Sequence, residues 1–135
     1  YTTGTYFPSD RKLKKETKDI NNALSSILAL NPKSYEYDTE KYPGLGVTRG
    51  KTYFGFMAQD VKNVIPEIVN DKKGIPDPTE ETSSVPYVKQ NMVTGYNLID
   101  YTSLIPILTQ AIKEQQSIIE KLSDKLEELE KKLDQ

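Results

Sequence analysis

A serine, an aspartate and a lysine fall within six residues near one end of this chain, in Ser9-Asp10-Arg11-Lys12-Leu13-Lys14. A serine hydroxyl is a nucleophile once a neighbouring base takes its proton. A desolvated lysine can lose its own proton and serve as that base, in place of histidine. The chain has no histidine and no cysteine. Any covalent or acid–base chemistry must therefore come from Ser, Thr, Lys, Asp, Glu or Tyr. The same residues also read as a helix start, with Ser9 as N-cap, Asp10 in the first turn and an Asp10–Lys14 pair at i, i+4.

Spacing constrains the chemical reading. Five residues along a helix sweep about 500°, which leaves Ser9 and Lys14 roughly 140° apart. On a strand an odd separation puts them on opposite faces. A turn between them, or packing from other segments or subunits, must bring them together. Lys14 would also need desolvation to act near neutral pH. An oxyanion would need donors, most simply backbone N–H groups.

The elements that could position these groups follow from periodicity. Tyr1 to Phe7 is rich in Thr and aromatic residues and suits an extended segment that Pro8 ends. Ile20, Ala23, Leu24, Ile27, Leu28 and Leu30 have helical spacing, with Thr17 or Asp19 as caps and Asn31-Pro32 as the stop. Ser34 to Tyr37 alternates polar and aromatic residues as a strand does, and residues 38–51 form a Gly/Pro-bearing loop. Tyr53 to Phe56 predicts a strand leading into a helix over Ala58–Val64 that Pro66 closes, with Glu67 to Val69 as a further strand. Residues 70–86 predict a long exposed loop. Val85 to Val88 and Met92 to Leu98 predict a hairpin-type excursion turning near Gln90-Asn91. Tyr35, Tyr37, Tyr53, Phe54 and Phe56 are expected in the core.

The last third carries the longest pattern. Ile105, Leu108, Ile112, Gln115, Ile119, Leu122, Leu126, Leu129 and Leu133 follow +3, +4 spacing without a break. This is a heptad repeat, with 105, 112, 119, 126 and 133 at a and 108, 115, 122 and 129 at d. A sustained 3.5-residue period specifies a left-handed coiled coil. The alternative is one long amphipathic helix on its own domain. Past Ile119 the other positions are nearly all polar, so a lone helix would leave leucines wet, each forgoing roughly 1.5–3 kcal/mol of burial. Lys125 at g and Glu130 at the following e are spaced for a pair between parallel chains, and Gln115 at d adds a polar layer. Ile at a with Leu at d suits two strands, so the pattern alone does not specify three. Asp100 or Thr102 would cap this helix, and Pro106 lies near its start, where a missing N–H is tolerated.

Composition bounds the rest. The chain has 135 residues, of which 36% are hydrophobic and 28% charged. That implies one domain with a small core and an extended part. A net charge of −2 gives no global attraction to nucleic acid or to an acidic membrane. No apolar run approaches the ~20 residues that span a bilayer, and no signal peptide is visible. No phosphate loop, zinc site or paired-carboxylate site is formed, so no cofactor or metal is expected. Loops 38–51 and 70–86 read as solvated connections.

Taken in order, the blocks resemble a family. After Ser9 to Lys14 come Leu30-Asn31-Pro32-Lys33-Ser34-Tyr35-Glu36-Tyr37, then Gly55-Phe56-Met57-Ala58-Gln59-Asp60-Val61 with Val64-Ile65-Pro66-Glu67. Asp100-Tyr101-Thr102-Ser103-Leu104-Ile105-Pro106 then runs into the heptads. The succession is similar to the intramolecular chaperone auto-processing domain at the C-terminus of endosialidase-type phage tailspikes and tail fibres. The resemblance implies an α+β domain of short strands and helices, followed by a long helix in a parallel trimeric coiled coil. It divides the chain into the end of an upstream client segment (1–8), a chaperone domain (9–100) and a trimerisation helix (101–135). It implies partners in two further copies of the chain and in the client fused upstream, with no nucleic acid or membrane. It implies that the domain guides folding of that client, then cuts at Pro8–Ser9. Ser9 would attack the Pro8 carbonyl, Lys14 would take its proton, and Asp10 would support them. The setting implied is a phage tail precursor assembled in the bacterial cytoplasm, from which the released domain departs.

Overall fold

The computed structural model describes residues 6–70 and 96–135. The expected loop 71–86 and most of the Val85–Leu98 excursion lie outside them. The described residues form a mixed α+β arrangement of short elements followed by one long helix. Helix α1 spans Ala23–Ala29, strand β1 Lys33–Tyr35, strand β2 Tyr53–Gly55 and helix α2 Ala58–Val64. Strands β3 (Val69–Asn70) and β4 (Leu98–Ile99) precede helix α3, Leu104–Leu133.

Helix α2 has the bounds its sequence predicts, and Pro66 follows its end as the opening residue of a short 3-10 turn, Pro66–Ile68. That turn occupies most of the stretch expected as a strand, so β3 begins only at Val69. The first helix is shorter than its apolar spacing suggests. It starts after Asn22, which sits in the left-handed region at φ 56° and makes no side-chain cap. Thr17 and Asp19 therefore do not cap it, and Ile20 stays outside the helix. Asparagine tolerates left-handed backbone better than most residues.

A cap comes instead from far along the chain. The Leu24 amide donates to Glu114 Oε2 at 2.6 Å. A carboxylate at a helix N-terminus satisfies an orphan N–H and lies favourably against the helix dipole. This bond fastens α1 to α3. Glu114→Ala is expected to lower unfolding free energy by about 1 kcal/mol in urea titrations, with Glu114→Gln recovering part of the loss.

Both sheets have two antiparallel strands. In the first, Lys33 faces Gly55, Ser34 faces Phe54 and Tyr35 faces Tyr53. In the second, Val69 faces Ile99 and Asn70 faces Leu98. The Asp100 amide continues this pairing to the Ile68 carbonyl at 2.8 Å. The core is small, as the composition implies. Val61, Ile65, Ile68 and Leu104 are buried, and Ile27, Leu30, Phe56, Val64, Val69, Ile99 and Ile107 pack around them.

The aromatic residues expected in that core mostly stand at its edge. Phe56 packs on the core, whereas Phe54 is 81% exposed. Tyr35, Tyr37 and Tyr53 contact one another, with centroids 5.0–6.3 Å apart. Two-stranded sheets have no second layer to bury both faces. The hydrogen bond between the Tyr35 and Tyr37 hydroxyls, with desolvation adding to it, pushes the Tyr35 hydroxyl up to about 12.

The root of α3 is tied to β2. The Phe56 amide donates to Tyr101 Oη at 3.0 Å, and the two rings stack. Gly55 makes room for this. A Cβ there would collide with Tyr101 Oη and come within 3.1 Å of Tyr35 Oη. Gly55→Ala is expected to cost about 2 kcal/mol, read as a fall in thermal midpoint, because Tyr101 must move away from Phe56. Ser103, not the expected Asp100 or Thr102, holds the N-cap position of α3 and makes no side-chain cap; Asp100 accepts from the Ser103 amide at 3.3 Å and from its hydroxyl, and so orders the approach to the helix. The Ser103 hydroxyl holds the Asp100 carboxyl below its ordinary range.

Candidate functional site

Ser9 and Lys14 do meet, and neither a regular helix nor a strand joins them. Arg11–Leu13 forms a single 3-10 turn, flanked by extended backbone at Asp10 (φ −64°, ψ 138°) and Lys14 (φ −114°, ψ 143°). The turn reverses the chain, and the Lys14 Nζ donates to Ser9 Oγ at 2.7 Å. Pro8 immediately precedes this serine.

Asp10, not Ser9, caps the turn. Its Oδ1 accepts from the Lys12 amide at 3.0 Å, while its carbonyl accepts from the Leu13 amide at 3.0 Å. The expected Asp10–Lys14 pair gives way to two separate contacts. The carboxylate turns to the backbone and the ammonium turns to the serine.

Chemically, the arrangement holds an amine at proton-transfer distance from a hydroxyl. With Lys14 charged, Nζ donates to Oγ. With Lys14 neutral, the same short contact reverses and the amine accepts the hydroxyl proton. Both residues are exposed in the single chain.

Among the described residues, surface clefts lie elsewhere. One of about 530 Å³ is bordered by Tyr35, Tyr37, Phe56, Gln59, Tyr96 and Tyr101 among others. One of about 490 Å³ lies beside Phe54 and Pro32. Another of about 500 Å³ lies where Lys18–Ile20 meets Ile105–Lys113. Ser9 and Lys14 line none of them. No described helix is long and apolar enough to cross a membrane.

Helix α3 presents two apolar faces. Leu104 and Ala111 are buried against the domain with Ile107 half-buried between them. These are the g and c positions of the heptads. The a and d positions face another way and lie open, with Ile112 63%, Leu126 60% and Leu133 85% exposed. From Gln115 to Gln135 every residue is exposed. The sequence shows the seam, but the separate inward face at g and c was not singled out from it. The apolar Leu104, Ile107 and Ala111 at i, i+3, i+7 were the available signal.

The described residues thus combine short α+β elements, a serine–lysine contact near Pro8 and a long helix with an open heptad stripe. Residues 9–70 match the family model of peptidase S74, described as chaperone of endosialidase. The family is one of chaperones and carries a peptidase name. The match begins at Ser9. The chain is also similar to the uncharacterized protein VP1 of Micromonas pusilla reovirus (isolate Netherlands/2005), with 35% identity over 69 residues. That alignment covers 50% of this chain and 3% of the viral protein.

Proposed function

We propose that this chain is a C-terminal intramolecular chaperone that trimerises through α3, promotes folding of a client fused upstream, and releases itself by cutting Pro8–Ser9. The observation that carries the reading is the 2.7 Å contact between Lys14 Nζ and Ser9 Oγ directly after Pro8. Lys14 removes the hydroxyl proton as Ser9 Oγ adds to the Pro8 carbonyl carbon. The tetrahedral adduct collapses with loss of the Ser9 nitrogen, which takes up the proton from Lys14. Pro8 is then held as an ester on Ser9 Oγ, and water hydrolyses that ester to a Pro8 carboxylate and a chain beginning at Ser9. Every proton returns and Lys14 is regenerated.

The open position of the pair fits this chemistry. An enzyme acting on separate substrates needs a pocket to bind them. A serine that attacks the bond of its own backbone needs none, because the chain supplies the proximity. What the single chain lacks is exclusion of water around Lys14, and assembly of three chains would supply it. Cleavage would then follow assembly. Before the cut, the helices keep three clients at high effective concentration. After it, the client trimer loses its folding guide and persists by slow unfolding.

The exposed a and d stripe supports self-association. We assign the trimer, the boundaries at residues 8 and 100, and a phage tail precursor made in the bacterial cytoplasm to the same proposal. The test is intact mass on a longer chain carrying the upstream segment. A fragment starting at Ser9, absent in Ser9→Ala and Lys14→Ala, supports it, and an uncut wild type under native conditions overturns it. Exposure of Lys14 and the rigid proline before the bond favour one second reading, a trimerisation module that stays attached. An uncut trimer whose client needs residues 9–135 to fold would establish that reading.

A further inference from the structure

We propose that Asp10 is a positioning residue, whose carboxylate caps the Arg11–Leu13 turn and so holds Lys14 against Ser9. The inference rests on the self-cleavage reading and assigns the aspartate its role within it.

The turn has little else to hold it. It is a single 3-10 turn with no buried residue, and such turns have poor hydrogen-bond geometry on their own. Its backbone bonds are Leu13 to the Asp10 carbonyl at 3.0 Å and Lys14 to the Arg11 carbonyl at 3.1 Å. The Lys12 amide is satisfied by Asp10 Oδ1 at 3.0 Å. Without that acceptor the segment relaxes toward extended backbone, where odd spacing sends the Ser9 and Lys14 side chains to opposite sides. The long lysine side chain would then have to give up its full rotamer freedom to return.

The direction of the carboxylate separates this role from a charge role. Asp10 follows Ser9 in the chain, yet its Oδ1 accepts from a main-chain amide and the Lys14 ammonium is given to Ser9. A capping acceptor is needed at this position, and a negative charge is not. Asparagine is as good a cap as aspartate.

The experiment compares D10N and D10A in the longer chain, with S9A as the uncut control. D10A is expected to slow cleavage roughly tenfold, and D10N to restore most of that loss with the wild-type pH profile. In the S9A background the Lys12 amide proton is expected to lose exchange protection in D10A and to keep it in D10N. Thermal melting of α3 by circular dichroism should be equal in all of them. D10A cutting at the wild-type rate overturns the proposal, as does D10N being as slow as D10A. If the wild type is never cut, the self-cleavage reading falls, and an unchanged Lys12 amide in D10A would separately overturn the cap.

Discussion

Ser9→Ala is expected to leave the Pro8–Ser9 bond intact, slowing its cleavage at least ~1000-fold, and Lys14→Ala to do the same. The first variant removes the proposed nucleophile and the second removes the proposed base, whose Nζ lies 2.7 Å from Ser9 Oγ. The informative companion is Lys14→Arg. Arginine keeps a positive charge and can still donate to Ser9 Oγ, so it preserves any structural value of the contact. It stays protonated at any pH a protein survives, so it cannot accept the hydroxyl proton. Lys14→Arg is therefore expected to be as inactive as Lys14→Ala while folding and associating like the wild type. Mass spectrometry over a time course reads all of these, and hydroxylamine should trap the ester as a Pro8 hydroxamate. A Lys14→Arg chain that cuts normally would remove lysine from the mechanism.

The second large effect concerns the seam of α3. Leu126→Glu is expected to leave the chain monomeric at micromolar concentration, where the proposed function calls for a trimer. Leu126 stands at an a position and is 60% exposed in the single chain. Burying it in three chains gains about 5–9 kcal/mol in total, and a glutamate there brings three like charges together instead. Sedimentation equilibrium measures the outcome. Glu127→Gln, a neighbouring change off the seam, should leave the mass unaltered. If water exclusion around Lys14 comes from assembly, Leu126→Glu should also suppress cleavage although Ser9 and Lys14 remain. A monomeric variant that cuts at the wild-type rate would separate the two halves of the proposed function. A Leu126→Glu chain of unchanged mass would show that the exposed stripe is not the association surface.

These two experiments probe different ends of one design. The serine–lysine contact forms within one chain, through three residues of 3-10 turn. In the proposed function, assembly is thus not what brings the groups together; its part is to change the medium around them. A lysine in water stays charged, and one enclosed by apolar neighbours gives up its proton more readily. On that proposal the exposed seam and the exposed Lys14 belong to the same unassembled state.

Much of this was legible along the chain because it depends on neighbours. The Ala58–Val64 helix, the Tyr53 strand and the heptads of α3 are local periods, and each was found where its spacing put it. The need for a turn between Ser9 and Lys14 follows from counting residues against helix and strand geometry. The family blocks could be read in order for the same reason. The sequence by itself therefore determined the types of the longer periodic elements, the candidate pair and the apolar seam, but not the 3-10 turns at Arg11–Leu13 and Pro66–Ile68.

Other features depended on partners distant in sequence, and these only the tertiary structure decided. The start of α1 is set by Glu114, ninety positions from the Leu24 amide it accepts, so no nearby cap residue marked it. Gly55 looks like a glycine in a strand until Tyr101 is placed over it. The tyrosines carry the apolar weight of core residues, yet two-stranded sheets leave them half outside. Helix α3 turns g and c inward to its own domain and leaves a and d open. Asp10 showed the clearest limit of local reading. Its spacing to Lys14 suits an ion pair on a helix, but the backbone takes a 3-10 turn. There the unsatisfied Lys12 amide claims the carboxylate, and Lys14 is left to Ser9.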